Sequence, residues 1–383
     1  MPIKNTLLKT IETHFSSLQD PRMKTKNTRH NFIDVLFISI CGAICGANYW
    51  TGIAAYGRSK EEWLKTFLEL PGGIPSHDVF NDIFIKLDAD QFEKCFIAWV
   101  ASISESIEDD VISVDGKTLR RSHDSSKSKK AIHMVSAWST SNALVLGQRA
   151  TKEKSNEITA IPELLDRLII ENCLVTIDAM GCQKKIADKI IERKADYLLA
   201  VKNNQRNLYS AIKNLMHESD DADFHRDFSE EVETSNKGHG REEIRRCWVC
   251  TDLNRLNYDV SEWRGIRCIV IVESERKLKN KDYTVEQRVY ISSANKSAEY
   301  FLNASRNHWH IENKLHWSLD VSFREDESRL REGDGAENFS IIRRIALNLL
   351  KKEKTEKTGI ETKRLRAGWD NNYLKTVMRG LAT

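Results

Sequence analysis

Two short stretches decide the fold: Val111-Ile-Ser-Val-Asp115 and Cys173-Leu-Val-Thr-Ile-Asp178. Each is a run of β-branched and aliphatic residues that stops at an aspartate, and Gly116 follows the first as a break. Both read as buried strands with a carboxylate at the C-terminal end. Working outward, His133 to Trp138 and Ala143 to Ala150 are two more strand-like runs, with Ser139-Thr-Ser-Asn142 as the hairpin turn between them. Glu157 to Ile170 has helical spacing, with Ile158, Ile161, Leu164, Leu165 and Leu168 on one side. Gln183 to Lys194 is an amphipathic helix, and Tyr197-Leu-Leu-Ala-Val201 is the strand after it.

The order is strand, strand, strand, helix, strand, helix, strand. It predicts an α/β protein: a ribonuclease-H-like mixed sheet with flanking helices. A strand–helix–strand unit implies a parallel pair joined by a right-handed crossover. Residues 203–297 interrupt the pattern and read as a β-rich insertion, with strand-like runs at Arg245 to Thr251, Cys268 to Glu273 and Arg288 to Ser292. Helical spacing returns from Ala298, with Ile311, Leu315, Leu319 and Phe323 along one face, and again from Glu337 through Leu350. Residues 1–105 read as a helical N-terminal domain, in which Ser76 caps one helix and Asp90 opens another. The expected division is 1–105, a catalytic domain over 106–350, and a basic C-terminal tail over 351–383 whose last fifteen or so residues are weakly structured.

Composition is that of a soluble globular chain, with 40% apolar and 30% charged residues and a net charge of only +3. Local charge says more. Lys117, Arg120, Arg121, Lys127, Lys129 and Lys130 crowd one segment, and Arg343, Arg344, Lys351, Lys352, Lys354, Lys363, Arg364 and Arg366 another. Two such patches can neutralise phosphates; the plainer reading is a solvated helix face and an exposed loop. The first residues are polar and amphipathic, unlike a signal peptide. The longest apolar run, Phe32 to Ala47, contains Asp34 and two glycines and falls short of the ~20 residues of a membrane span, so it reads as a buried helix. Of eight scattered cysteines only Cys247 and Cys250 form a CxxC, and the residues between them look like strand; free thiols in a reducing cytoplasm are expected.

Asp115 and Asp178 at strand ends project from the sheet edge, where open α/β sheets place their ligands. On neighbouring strands both can share a magnesium ion; alone, each is equally a turn residue. Glu312, beside the stripe of Ile311, Leu315 and Leu319, supplies a third ligand in this reading. Asp320 is its rival, about 12 Å further along a helix axis, so one ion cannot take both. Glu325, Asp326 and Glu327 read as a solvated cluster. Carboxylates suit magnesium, and two ions support an in-line displacement at phosphorus. Water as nucleophile gives hydrolysis; a DNA 3′-hydroxyl gives strand joining. Neither a Walker phosphate loop nor a dinucleotide glycine fingerprint is present in the sequence. His239, Arg241, Glu243 and Arg245 alternate, so a strand would put them on one face, either for phosphates or as a hairpin with cross-paired Arg and Glu. Trp309 and Trp317 can stack on a base, although their spacing favours core packing. Lys154, Asn156 and Glu157 read as a helix cap.

Taken together, the motifs resemble an insertion-sequence transposase of the H-repeat-associated type, the group linked to Rhs elements. The resemblance rests on Leu18-Gln-Asp-Pro-Arg22, Val114-Asp-Gly-Lys-Thr118, Lys154-Ser-Asn-Glu-Ile-Thr-Ala-Ile-Pro162, Thr176-Ile-Asp-Ala-Met-Gly-Cys-Gln183, Lys237-Gly-His-Gly-Arg241, His308-Trp-His-Ile-Glu-Asn313, Leu315-His-Trp317, Leu319-Asp-Val321 and Arg343-Arg-Ile-Ala-Leu-Asn348. It implies a DDE catalytic core with Asp115, Asp178 and Glu312 as the acids, holding two magnesium (or manganese) ions. It implies double-stranded DNA as partner, both element ends and target, and a homodimer or larger assembly on that DNA. Lys117, Arg120, Arg121, His239, Arg241, Arg245, Arg306 and Trp309 are the residues expected to meet nucleic acid. The accessory positions depart from the wider superfamily: Ser305 and His308 stand where a tyrosine and an arginine are usual, and Leu319 where a lysine is; Arg306 is the nearest substitute. Two other readings stay open, a catalytically silent DNA-binding relic and a magnesium nuclease that only hydrolyses.

Overall fold

The computed structural model describes residues 11–23, 28–123, 130–151, 157–218, 230–238, 241–278 and 283–381. Its helices are α1 (Phe32–Ile44), α2 (Trp50–Ser59), α3 (His77–Lys86), α4 (Ala89–Ile103), α5 (Glu157–Arg167), α6 (Lys184–Glu192), α7 (Arg206–Glu218), α8 (Ala298–His310), α9 (Trp317–Val321), α10 (Gly335–Lys352), α11 (Ile360–Trp369) and α12 (Asn371–Arg379). Its strands are β1 (Val111–Thr118), β2 (His133–Ser139), β3 (Leu144–Thr151), β4 (Leu174–Ile177), β5 (Asp196–Val201), β6 (Glu230–Gly238), β7 (Arg241–Cys250), β8 (Cys268–Leu278) and β9 (Thr284–Ser292).

All nine strands form one sheet in the order β3-β2-β1-β4-β5-β9-β8-β7-β6. The first five, with β1, β4 and β5 parallel and β2 and β3 antiparallel, are the ribonuclease-H-like order expected from the sequence. The β-rich segment is not a separate body. β9 pairs antiparallel with β5 from Leu198↔Ser292 to Val201↔Val289, so β6–β9 continue the same sheet. Each added strand satisfies the backbone groups that an edge would leave open.

Pleating divides the side chains between two cores. Ile112, Val114, Val175 and Ile177 face the larger one, which they share with α1, α4, α5, α6 and α10. Val111 and Leu174 face the smaller, covered by Ala298, Phe301, Leu302 and Ala304 of α8. Burying a side chain the size of Phe301 or Leu302 contributes about 1.5–3 kcal/mol.

Local expectations fare unevenly. α1 is buried along its length, as its apolar run requires. Ser76 caps α3, its hydroxyl accepting from Val79 N at 3.3 Å. The cap of α4 is Asp88, and Asp90 lies in the first turn. The end of the chain is not a weakly structured tail. α12 buries Tyr373, Leu374, Val377 and Met378, and α11 buries Lys363, Arg364 and Ala367. The spacing of those apolar residues carries an amphipathic signal that charge counting obscures. Among the described residues no helix is long and apolar enough to cross a membrane.

Candidate active site

β1 and β4 run parallel in the register Val111↔Leu174 to Val114↔Ile177. The next step along both strands brings Asp115 beside Asp178, on neighbouring strands whose usual separation is about 4.8 Å. Asp115 is not at a strand end. β1 continues through Gly116, which pairs with Val135, to Thr118. Gly116 keeps the strand open for a neighbour: a Cβ there would collide with the Glu157 carboxylate and the His133 imidazole. Glu157 does more than open α5. It is buried, bonded to His133 Nε2, and its charge reaches Asp115. Gly116→Ala should therefore cost about 1–3 kcal/mol through overpacking, read as a lower denaturation midpoint; an unchanged midpoint would refute the close fit.

α8 crosses the smaller core and passes into a π turn, Ile311–His316, before α9. The turn decides which side chains face the sheet. Four α-helical residues overshoot a full turn by about 40°, whereas a π turn, bonded i to i+5, holds more residues and undershoots. The two errors offset, and residues four apart stay on one line. His308 Nδ1 lies 3.0 Å from Thr176 Oγ1. Glu312 comes next and acts electrostatically on Asp115 and Asp178. His316 Nδ1 stands 3.5 Å from Asp115 Oδ2. Asp320 Oδ1 meets Lys117 Nζ at 2.7 Å. Asp320, the rival for Glu312, is thus held in an ion pair.

Burial pushes the Asp115 carboxyl up to about 7; the Gly116 amide opposes the rise, and the charges of Asp178, Glu312 and Glu157 add to it. Burial also raises Glu312, with Arg288 opposing and Asp178 reinforcing. Burial lowers His308 to about 4, and lowers His316 to about 3 with help from Arg344 and Lys117, so both imidazoles are neutral at pH 7. Asp178 Oδ1 accepts from the amides of Met180 (3.0 Å) and Gly181 (3.3 Å), which fix its loop.

Among the described residues no three His, Cys, Asp or Glu side chains stand close enough together to enclose a metal as arranged. The donor chemistry still fits a hard divalent cation. Asp115 is an oxygen donor whose proton affinity burial and, to a lesser degree, neighbouring carboxylates have raised, and a cation would offset both.

Beside Asp178 and Glu312 opens a cleft of about 410 Å³, walled by Thr176, Tyr209, Tyr290, His308 and Trp309. Trp309 is 36% exposed and Trp317 59%, so neither is the core residue that spacing suggested. The guanidinium of Arg288 stacks on Trp309, 4.3 Å from the ring centroid. Past this stack a broader groove continues over β7–β9, lined by Arg245, Arg276 and Arg306.

The residues expected to meet nucleic acid separate here. Arg245, Arg306 and Trp309 share the groove, although Arg245 is paired with Glu243 at 2.7 Å. That pair runs along β7 rather than across the hairpin, and the cross-strand contact of the buried Glu243 is Arg276 on β8 at 3.1 Å. Lys117 is buried between Asp320 and Asp326 (2.5 Å) and is not available. Arg120 and Arg121 lie on the exposed turn after β1, with Arg120 3.4 Å from Asp326. Arg241 pairs along its backbone with Leu278; His239, Lys154 and Asn156 lie outside the described residues. Glu325 corrects the solvated cluster: it is 1% exposed and 3.0 Å from Arg344, itself fully buried. Arg343, Lys363 and Arg364 are buried as well, so with Arg344 half of the second basic patch is internal. Sequence reading missed Arg288, His308, His316 and the buried role of Glu157. Only the four-residue spacing of 308, 312, 316 and 320 signalled any of them.

A ribonuclease-H-like sheet, with Asp115 and Asp178 brought together by neighbouring parallel strands, is the frame of a DDE-class protein. The chain belongs to the transposase DDE domain family, whose model matches residues 106–349; the DDE transposase-associated model matches residues 12–100. It is 42% identical over 382 residues to the "H repeat-associated putative transposase YhhI" of Escherichia coli (strain K12), covering 97% of this chain and 98% of that one. It is 41% identical over 367 residues to the "Putative transposase YncI" of Escherichia coli O157:H7, covering 95% and 93%.

Proposed function

We propose that the chain is a DNA transposase that cuts at the ends of an insertion sequence and joins those ends to new DNA. The observation that carries this reading is the parallel β1–β4 register that sets Asp115 beside Asp178 beneath the helix bearing Glu312. These three acids are the residues to hold two magnesium ions. When bound, the ions would neutralise phosphate charge and polarise the attacking and leaving oxygens. The chain's own groups do the rest. His316 orients Asp115, and His308 with Thr176 steadies the strand end beside Asp178. The Arg288–Trp309 stack offers a flat wall for a base near the cut, and Arg306 and Arg276 suit phosphates leading away from it. Joining two ends requires at least two protomers on DNA, in the cytoplasm where that DNA lies.

The purified chain, given duplexes with the inverted terminal sequences flanking its gene, should nick and join them in magnesium or manganese. Binding without cleavage in both metals would favour the silent relic. Hydrolysis without joining of a pre-cut 3′-hydroxyl end would favour the nuclease.

A further inference from the structure

The cleft and groove lie on the β4, β5 and β9 side of Asp115. On the β2 side stands a second, separate group of cations. Lys351, near the C-terminus of α10, places its ammonium 5.1 Å from the centroid of the Trp138 ring on β2. It is half-buried, and Lys314 from the π turn and Lys354 lie near enough to act on it electrostatically. His310, one turn before Lys314, feels Lys314, Arg306 and Lys351, and its Nδ1 is buried and unpartnered. Among the described residues no carboxylate pairs with Lys314, Lys351 or Lys354. Glu353, the nearest acid in sequence to Lys351 and Lys354, is turned to Lys363 (3.3 Å), Thr355 and Tyr373, and Glu312, two residues before Lys314, lines the cleft with Asp178. Ammonium groups brought near one another without a counter-charge raise a local positive potential that draws an anion. Burial lowers the proton affinity of Lys351 to about 8, with Lys314, Lys354 and Lys363 adding to the effect.

We propose that Lys314, Lys351 and Lys354 form a phosphate-binding ridge that holds the backbone of the DNA receiving the cut end. This rests on the function proposed above and names the partner of one face. Two DNAs must meet at the acids, and the molecule offers two cationic surfaces on opposite sides of β1. The groove, with its planar guanidinium groups and Trp309, has the directional contacts that a defined end requires. The ridge has point charges on flexible stems, which attract phosphates whatever the sequence.

The test uses the full chain carrying Lys314→Gln and Lys354→Gln. Both positions are exposed, so folding is spared, and a melting curve checks it. Joining of pre-cut ends to plasmid DNA should fall on the order of tenfold, while binding and cutting of element ends stay within about twofold. The slope of log affinity against log salt for duplex of random sequence should flatten by about two, near one per lysine. Lys314→Arg with Lys354→Arg should restore joining. Unchanged joining with an unchanged slope would overturn the proposal. So would parallel loss of end binding, which would assign the ridge to the element's own DNA. If the wild-type chain neither cuts nor joins, the proposed function fails, and the salt slope still judges the ridge by itself.

Discussion

Asp115→Asn should abolish both cutting and joining while leaving the protein folded and, without metal, more stable than the wild type. Loss of one of three ligand acids should lower the rate by a factor on the order of 10³ or more, equivalent to about 4 kcal/mol in the barrier. The stability gain follows from the acid's surroundings. The folded chain holds a proton at Asp115 up to about pH 7, whereas the unfolded chain releases it near the ordinary value of 3.8. Between those values the folded state binds more protons, so unfolding free energy falls as pH rises, and the penalty is complete above pH 7. Asparagine carries no such charge. The variant should melt above the wild type at pH 8 without metal and level with it at pH 4. Magnesium should raise the wild-type melting point at pH 8 and leave the variant's alone. A variant that melts lower at pH 8, or still cuts DNA, would sink the assignment of Asp115 to the metal.

The second large effect is on stability. Arg344→Met should cost about 3–5 kcal/mol, read from the midpoint of denaturant unfolding. Arg344 and Glu325 are both fully buried, 3.0 Å apart, and Arg344 also donates to Ser340 O and Ser136 Oγ at 3.3 Å. Removing the guanidinium leaves Glu325 with the Ser340 hydroxyl at 3.0 Å and, as cations, Lys117 at 3.9 Å and Arg343 at 4.0 Å. Replacing Glu325 with Gln in the same chain should return part of the loss, because the uncompensated charge goes with it. Burial would raise the Glu325 carboxyl, but Arg344, Lys117 and Arg343 outweigh it and hold it at about 2. A depressed acid stabilises the fold above its unfolded value of 4.5 and loses that contribution as pH falls toward 2. The wild type should therefore lose stability in acid more steeply than Arg344→Met. A single variant within 1 kcal/mol of wild type would refute the network.

The strands of the catalytic sheet were legible because each is short, apolar and bounded by turn residues. Their order alone suffices for the ribonuclease-H-like frame. Asp178 was legible with them, since a residue following a buried parallel strand emerges at the sheet edge; Asp115 was read as a strand end but lies inside β1, and the β1–β4 register is what sets it beside Asp178. Glu312 was legible only as a border residue of an apolar stripe. What escaped reading depends on partners distant in sequence. Nothing near Glu325 announces that Arg344, nineteen positions on, will bury it. Lys117 looks like the start of a phosphate-binding run until Asp320 and Asp326 close on it. The β-rich segment gave its strands but not their pairing, because the paired strands β5 and β9 are separated by residues 202–283 of intervening chain.

The π turn makes chain length itself a coded quantity. Surface loops can gain or lose residues at little cost, because only their ends are fixed. Between His308 and Asp320 the count of residues sets the angle at which four side chains meet the sheet. Removing one residue would restore ideal helix bonding and improve local energetics, yet it would rotate His316 and Asp320 away from Asp115 and Lys117. This stretch therefore trades a better helix for aim, and a change harmless to folding there would be fatal to geometry.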